Sequence, residues 1–315
     1  MDMLYSLAIF LSALNGIILP MSAIGFLATA ANHLKDRFWP LIKSRQTLLL
    51  TLTGVAGYLC QRRVPLEWFR LVGLAGSLLF TISGCTVLNM VYDRDIDRKM
   101  MRTRQRPLAA EQISAHTAAI LGGLLITLGL VWALTLSWLY CLLVLIGTGL
   151  DVLVYTLWLK RRSAWSIVWG GLAGGLPLLA GRALVINRID PAGLLLGLAI
   201  VCWIPSHNLT LGMLYSEDYL NAGVPIFLNV YGPAATRVAV TLSSLLTVLL
   251  MAAGFKLLDF SVPVIAILGA GGLGLVGLTL VSFVRPSRPA IVVLYKYSSF
   301  YMLATMLLLS FARLG

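Results

Sequence analysis

Long apolar stretches alternate with short polar segments along the whole chain. A membrane-spanning helix needs about 20 largely apolar residues, and the pattern predicts ten such helices. Residues 117–159 contain a single acid, so we expect two helices there, joined by a tight turn near Ser137. The predicted spans, of which the second is the shortest, are residues 4–31, 46–60, 69–92, 115–136, 138–159, 164–182, 192–215, 233–255, 260–284 and 291–312.

Composition excludes a soluble protein. Hydrophobic residues make up 59% of the chain and charged residues 11%, whereas a soluble domain is about 45–50% apolar and about 25% charged. The same figures exclude a disordered chain, a coiled coil and a disulfide scaffold. The four cysteines are scattered without CxxC spacing, which favours packing over a zinc or redox site. We therefore predict an all-α, polytopic membrane helix bundle that lies in the lipid bilayer.

The net charge of +12 indicates an orientation in the membrane. In a soluble chain this balance would suggest nucleic acid, but membrane proteins retain basic loops on the cytoplasmic side, and we expect no nucleic-acid partner. One side of the bundle contains 17 of the 24 lysines and arginines, and the other contains 7. We therefore expect a protein of the cell (inner) membrane with both termini outside. Loops 33–45, 93–113, 160–163 and 217–232 would face the cytoplasm.

Three aspartates occupy five positions at the cytoplasmic end of the third predicted helix. Asn89, Asp93 and Asp97 are spaced four apart and share one helix face over about 12 Å, while Asp95 points to the far side. Carboxylates stacked in this way repel one another unless a cation lies between them, and such oxygen ligands suit Mg²⁺, which also binds substrate phosphates. The basic residues within 98–106 can neutralise phosphate oxygens. This order predicts a site for a diphosphate leaving group, the alternative being an ordinary basic loop.

Two further polar clusters end predicted helices on the same side of the membrane. Residues 215–221 include two acids, although an ordinary helix exit would look similar. Tyr155 and the basic residues 160–162 end another helix, where a plain cytoplasmic anchor is the alternative. His207 lies within an apolar stretch, where an ionisable group suggests function, but a packing histidine is equally compatible. Because all the clusters meet at one membrane face, we predict a shared cavity.

These motifs resemble those of the UbiA-type intramembrane prenyltransferases. The pattern Asn89-xxx-Asp93-xxx-Asp97, followed by Arg102-Thr103-xx-Arg106-Pro107-Leu108, resembles their first aspartate motif. Within that superfamily, residues 93–100 are most similar to the protoheme IX farnesyltransferase (haem O synthase) family. The resemblance covers roughly residues 43–313. Further similar stretches are 155–163 with 170–174, Trp203 with His207, and 218–225.

The resemblance implies nine core helices around a cavity that opens towards the cytoplasmic leaflet. It implies a prenyltransferase domain at 43–315, preceded by an extra transmembrane helix and basic loop at 1–42. The implied reaction is Mg²⁺-dependent transfer of the farnesyl group of farnesyl diphosphate to the vinyl group of haem b, and a membrane partner of the haem pathway is implied as well. The implied metal ligands are Asn89, Asp93, Asp97, Glu217 and Asp218. The implied diphosphate ligands are Arg102, Arg106, Lys160 and Arg161. Tyr155 is implied in catalysis together with Asn89, Asp93, Asp97 and Asp218, and Trp203 and His207 are the acceptor candidates.

Departures from the family pattern leave the acceptor open. Pro205 lies two residues before His207 rather than next to it, and Ser44 replaces an expected proline. Asp151 is an unexpected acid inside a predicted span. A quinone precursor or a lipid is therefore an alternative acceptor, and a transporter whose inner acids bind a cation is an alternative from a different class.

Overall fold

The computed structural model describes residues 39–61 and 66–312, and the regular secondary structure within them is entirely helical. The predicted 4–31 helix lies outside these residues. The second half of α4, Leu150–Leu159, is a wider π-helix. The helices are α1 Ser44–Leu59, α2 Trp68–Lys99, α3 Ala115–Leu136, α4 Trp138–Leu159, α5 Ser166–Ile186, α6 Pro191–Leu214, α7 Ser216–Asn221, α8 Phe227–Leu257, α9 Val262–Val284 and α10 Arg288–Phe311.

Each predicted span from residue 46 onward is a helix in the structure. Eight of the described helices are long and apolar enough to cross a membrane, whereas α1 has only 16 residues. The predicted span at 233–255 lies within α8, which begins earlier, at Phe227, and kinks at Gly232, whose φ is 82°. Pro233 has no N–H to continue the hydrogen-bond ladder, so the helix restarts there. The predicted all-α membrane bundle is confirmed.

The long helices form a closed ring. Helices adjacent in sequence pack together from α1 to α6, α6 packs against α8, and α8, α9 and α10 follow before α10 returns to α1. Helix α5 also packs against α1. A Cβ atom on Gly57 of α1 would lie 2.1 Å from the carbonyl oxygen of Leu178 on α5, so this crossing requires glycine. The ring can therefore enclose space between its helices.

The outer surface of the ring is apolar. Leu128, Leu249, Leu273 and Phe300 are exposed by 56%, 57%, 73% and 66%. Large exposed apolar surfaces of this kind mark membrane contact in a membrane protein. We conclude that the outside of the ring faces lipid.

Buried Arg182 joins three helices at the end of the bundle where α5 ends and α6 begins. Its guanidinium donates hydrogen bonds of 2.7 and 2.6 Å to Asp190 and one of 3.3 Å to Oε1 of Gln61. Asp190 also caps α6 by accepting a 3.0 Å hydrogen bond from the backbone N–H of Gly193. This ion pair therefore holds the ends of α1, α5 and α6 together.

Candidate functional site

A polar cavity of about 250 Å³ lies at the end of the bundle where α2, α4 and α6 end and α1, α5 and α8 begin. Side chains from three of the predicted polar clusters line this cavity. The prediction that these clusters share a cavity is therefore confirmed. Its charged and polar lining residues include Lys43, Gln46, Asn89, Asp97, Arg102, Arg106, Asp151, Tyr155, Lys160, Asn208 and Tyr219.

The first aspartate motif is divided between the two faces of α2. Asn89, Asp93 and Asp97 are buried on the inner face, with 5%, 0% and 4% of their surface exposed. Asp95 points outward and pairs with Arg161. This division follows from the spacing of four, because only residues three or four apart lie on the same side of a helix.

Each residue of the inner face meets a cation from another segment. Contacts between oxygen atoms and charged nitrogen atoms are stronger than neutral hydrogen bonds, and the same nitrogen atoms can bind phosphate oxygens. The motif is thus already surrounded by the charges that a diphosphate would need. The pairs are Lys160 with Asp93, Arg106 with both oxygens of Asp97 (2.9 and 2.8 Å), and Lys43 with Oδ1 of Asn89 (2.5 Å).

Local backbone structure positions two of these cations. The loop that contains Arg106 folds back over the end of α2, where the hydroxyl of Thr103 donates a 3.1 Å hydrogen bond to the carbonyl of Asp97. Lys160 follows the π-helical half of α4, and its backbone N–H donates to the carbonyl of Tyr155, five residues earlier, at 2.9 Å. This wider turn places the ammonium group 5.6 Å from the centre of the Tyr155 ring.

Burial and neighbouring charged groups shift the pKa values of two lysines in opposite directions. Burial, together with the positive charges of Arg106 and Lys160, lowers the pKa of Lys43 to about 7. Burial alone would lower the pKa of Lys160, but Tyr155 and the ion pair with Asp93 raise it above its usual value. The contacts with Tyr155 and Asp93 therefore favour the charged form of Lys160, and an anion in the cavity would favour the charged form of Lys43.

The inner face of α2 fits a divalent cation bound together with a phosphate. Oδ1 of Asp93 is buried without a hydrogen-bond partner among the described residues, and such an orphaned oxygen needs an explanation. Asn89 and Asp97 supply further oxygen atoms. Within 39–61 and 66–312, no cluster of three or more His, Cys, Asp or Glu side chains could hold a metal by itself. Mg²⁺ needs only one or two carboxylates when substrate phosphates and water complete its shell, so these donors fit Mg²⁺ beside a diphosphate.

The second acidic pair lies beside the cavity rather than in its wall. Asp218 of α7 accepts a hydrogen bond of 3.4 Å from the backbone N–H of Met101, and Glu217 is exposed. Helix α7 contributes Tyr219 to the cavity instead. The contact with Met101 joins α7 to the loop after the first motif. Metal ligation by Glu217 and Asp218 stays a prediction.

Arg102 and Arg161 have different surroundings. Arg102 lines the cavity and lies 5.5 Å from the centre of the Tyr215 ring. Arg161 lies outside the cavity, where it donates hydrogen bonds of 2.8 and 2.6 Å to Asp95 and one of 2.5 Å to the carbonyl of Tyr92. Three of the four predicted diphosphate ligands therefore reach the cavity, and Arg161 does not.

A second, mainly apolar chamber of about 550 Å³ adjoins the polar cavity. Tyr155 stands in the common wall, and its ring packs over Gly170, where a Cβ atom would lie 2.7 Å from Cδ2 of the ring. The polar and apolar spaces are therefore neighbours with a common boundary. The residues that line both are Gln46, Thr86, Asp151, Tyr155, Ile167, Asn208 and Leu211.

His207 lines the apolar chamber between two aromatic rings. The ring centre of Trp203 lies 4.7 Å away and that of Tyr295 4.5 Å away, with interplanar angles of 18° and 21°. Nδ1 of His207 lies 3.4 Å from the hydroxyl of Ser299, and the indole N–H of Trp203 donates to the hydroxyl of Ser298 at 2.8 Å. Because both faces of the imidazole are covered, only its edge can meet a ligand.

Two residues that line these cavities were not predicted as site residues from the sequence. Lys43 counts in the sequence only as one of many cytoplasmic charges, yet it is paired with Asn89, 46 residues away. Its position immediately before an apolar helix is the signal that could have revealed it. Tyr295 offers no such signal, because nothing in the pattern of α10 distinguishes it from a packing aromatic.

Comparisons with known proteins agree with this geometry. The sequence profile of the UbiA prenyltransferase family matches residues 48–311. The protoheme IX farnesyltransferase of Thermofilum pendens is 41% identical over 212 residues, which are 67% of this chain and 74% of that protein. The protoheme IX farnesyltransferase of Archaeoglobus fulgidus is 36% identical over 220 residues, which are 70% of this chain and 77% of that protein.

Solved structures share the fold. A digeranylgeranylglyceryl phosphate synthase superposes with a TM-score of 0.73 at 19% identity, covering 88% of this chain and 98% of that one. A UbiA homologue from Archaeoglobus fulgidus, bound to DMAPP and Mg²⁺, superposes with a TM-score of 0.64 at 18% identity, covering 87% and 99%. The profile match over most of the chain, the relatives and the fold lead to one conclusion: the chain belongs to the UbiA prenyltransferase family and is an integral membrane enzyme that transfers prenyl groups.

Proposed function

We propose that this enzyme transfers the farnesyl group of farnesyl diphosphate to the vinyl group of haem b (protohaem IX), which gives haem O. The observation that carries the proposal is the common wall between a cationic polar cavity and an apolar chamber with stacked aromatic rings. The first space suits the charged leaving group, and the second suits a prenyl chain and a flat apolar acceptor. Relatives at 36–41% identity that are named protoheme IX farnesyltransferase support this donor and acceptor.

Four cations of the polar cavity would bind the diphosphate: Lys43, Arg102, Arg106 and Lys160. Negative charge on the diphosphate grows as its bond to the prenyl carbon breaks. Fixed cations around the leaving group therefore stabilise the transition state more than the bound substrate. Lys160 and Arg106 would turn from their carboxylate partners towards the phosphate oxygens.

We include Mg²⁺ in the proposal, held by Asn89, Asp93 and Asp97. When bound, it would supply Lewis-acid stabilisation of the charge on the diphosphate oxygens. The orphaned Oδ1 of Asp93 supports this assignment, as does the UbiA homologue bound to DMAPP and Mg²⁺. Asp218 and Glu217 are proposed as ligands on the opposite side, and Asp218 would then give up its contact with Met101.

The wall between the two spaces is the proposed place of reaction. Ionisation of an allylic diphosphate leaves a carbocation that bulk water would destroy, so the prenyl carbon must be shielded from bulk water until it has bonded to the acceptor. Tyr155 stands in that wall, and the face of its ring can stabilise a cation. We assign it a catalytic role on this ground.

The aromatic stack of Trp203, His207 and Tyr295 is the proposed acceptor site. An imidazole edge can ligate haem iron, and the two flanking rings and the hydroxyl of Ser299 would hold the imidazole in one orientation. The competing explanation is a packing histidine with no contact to the acceptor.

Membrane orientation and domain limits are part of the same proposal. The charge distribution supports a polar cavity that faces the cytoplasmic side of the inner membrane. The profile match at 48–311 supports a catalytic domain at 43–315, with residues 1–42 as an additional transmembrane segment and basic loop. A haem-pathway membrane partner stays a prediction.

The decisive experiment uses the purified full-length protein in lipid nanodiscs with farnesyl diphosphate, haem b and Mg²⁺. We expect mass spectrometry to detect haem O, and EDTA to abolish its formation. If the enzyme ignores haem but prenylates a phenolic or lipid acceptor, the family assignment stands and the haem proposal is wrong.

The variant His207→Ala tests the acceptor site separately. We expect it to raise the KM for haem while the affinity for farnesyl diphosphate stays unchanged. A packing histidine would instead lower thermal stability and impair both substrates together, and that outcome would remove His207 from the acceptor site.

A further inference from the structure

Asp151 is an acidic residue inside the bundle that the binding of diphosphate and metal does not use. It is one of the residues that line both the polar cavity and the apolar chamber. Its carboxylate forms no hydrogen bond or ion pair with any side chain of the described residues, in contrast to Asp93, Asp95 and Asp97. An acid in a membrane span without a direct partner is costly and suggests a function.

The backbone at Asp151 is held in an unusual conformation. Asp151 lies at the start of the π-helical half of α4, Leu150–Leu159, and π-helical turns are frequent at functional sites. The hydroxyl of Thr156 donates a 2.8 Å hydrogen bond to the carbonyl of Asp151, and Nδ2 of Asn89 donates to that hydroxyl at 3.1 Å. Asp151 is therefore tied through Thr156 to the first aspartate motif.

The proposed reaction requires a proton acceptor at this boundary. The bond from the prenyl carbon to oxygen breaks, and its electron pair leaves with the diphosphate. The π electrons of the acceptor's vinyl group then form the new carbon–carbon bond, which leaves a cation on the neighbouring carbon. Water adds to that carbon, and one proton must leave the added water to give the hydroxyl group of the product. A phenolic acceptor would instead lose a ring proton, so a base is needed with either acceptor.

We propose that the carboxylate of Asp151 accepts this proton. It is the only Asp or Glu of the described chain that lines both spaces, and positioned carboxylates are common general bases. Lys43 and Lys160 line the same polar cavity, but both are assigned to the diphosphate, whose negative charge favours their protonated forms. The departing diphosphate is the competing proton acceptor, and the experiment below distinguishes the two.

The test compares Asp151→Asn with Asp95→Asn in the full-length protein. Asp95 matches Asp151 in chemistry but lies on the outer face of α2, paired with Arg161. We expect Asp151→Asn to lower kcat by about 100-fold or more, with unchanged affinity for farnesyl diphosphate and unchanged thermal stability. We also expect part of the product to be lighter by one water, because the acceptor cation then loses a carbon-bound proton to the departed diphosphate instead of being hydrated. Asp95→Asn should retain the kcat and the product of the wild type.

A kcat and a product for Asp151→Asn equal to those of Asp95→Asn would overturn the proposal and assign the proton to the diphosphate. If Asp151→Asn does not fold, Asp151→Glu is the deciding variant. Formation of hydrated product by Asp151→Glu supports a carboxylate base. If Asp151→Glu does not fold either, Asp151 has a structural role. The inference rests on the proposed function. Assays of the wild type distinguish a failure of the proposed function from a failure of the inference about Asp151. A wild type that ignores haem but prenylates a phenol refutes the haem acceptor alone, and the same variants are then compared with the phenol.

Discussion

Asp93 and Asp95 are two residues apart on α2 and have opposite surroundings. Asp93 is fully buried and bonded to Lys160 through one oxygen, and its other oxygen has no partner in the described part of the chain. The side chain of Asp95 is 58% exposed and pairs with Arg161. The two side chains are chemically identical, but because their surroundings differ we expect their replacement to have different effects on turnover.

We expect Asp93→Asn to reduce turnover by on the order of 10²-fold or more, because it removes a carboxylate beside the developing charge. Asp95→Asn should leave turnover within a small factor of the wild type. Initial rates at saturating Mg²⁺ measure both variants. Thermal unfolding in detergent is the control, since Lys160 loses its buried partner in Asp93→Asn. Equal losses of activity in two folded variants would contradict the shared inner face.

Lys43 leads to a second prediction at the residue scale. A charged hydrogen bond to phosphate is worth about 1.5–3 kcal/mol, so Lys43→Met should raise the KM for farnesyl diphosphate by about tenfold or more. Arg94 is the control, since it is an exposed cation near the end of α2, at the same end of the bundle, and among the described residues it bonds only to the carbonyl of Val91, at 3.4 Å. Arg94→Met should leave this KM unchanged. An unchanged KM in Lys43→Met would remove Lys43 from the diphosphate site.

At the scale of helices, the ion pair between Arg182 and Asp190 connects α5 to α6. Its side chains are largely buried, with 6% of Arg182 and 17% of Asp190 exposed. Burial alone would raise the pKa of Asp190, but the hydrogen bonds from Arg182 and from the N–H of Gly193 hold it below its usual value. A carboxyl with a lower pKa in the folded state stabilises the fold above its unfolded pKa of about 3.9. That stabilisation is lost as the pH falls through the folded-state pKa.

We therefore expect Asp190→Asn to lower the free energy of unfolding by about 3 kcal/mol at neutral pH, because it leaves the buried Arg182 without its counter-charge. The difference from the wild type should shrink as the pH falls below about 4. Thermal unfolding in detergent at several pH values measures both effects. Asp259→Asn is the control, an exposed acid between α8 and α9. A loss of stability that is the same in acid as at neutral pH would contradict the ion-pair explanation.

For the whole molecule, the closed ring of helices separates two surfaces, an apolar exterior and an interior with polar groups at one end. The loops around the polar cavity belong to the side with 17 of the 24 basic residues. The same end therefore combines the charges that determine orientation with the charges that would bind the substrate. This coincidence makes the orientation testable at exposed positions near the site.

We expect cysteines introduced at Gln105 and Asn221 to resist an impermeant thiol reagent in intact cells, because the positive-inside rule places both loops in the cytoplasm. Both residues are exposed. Ser261→Cys, an exposed position at the opposite end of the bundle, should react and serves as the positive control. Labelling at Gln105 or Asn221 without permeabilisation would reverse the orientation and the side of substrate entry.

The helices and the inner face of α2 were predictable from the sequence. In a bilayer every backbone polar group must be bonded internally, so each long apolar stretch becomes a helix whatever its neighbours are. The helical repeat alone then places Asn89, Asp93 and Asp97 on one face and Asp95 on the other. Both are local properties, and local sequence contains the information for them.

The partners of those residues were decided only by the tertiary structure. Lys160 and Asp93 are 67 residues apart, and Arg161, which follows Lys160 directly, pairs instead with Asp95 on the outer face. Sequence spacing cannot show which of two adjacent cations enters the cavity, because that depends on how the π-helical half of α4 is turned against α2. The position of Asp151 between the two spaces has the same origin. Spaces enclosed by several helices exist only once the ring has closed, so no single stretch of sequence contains them.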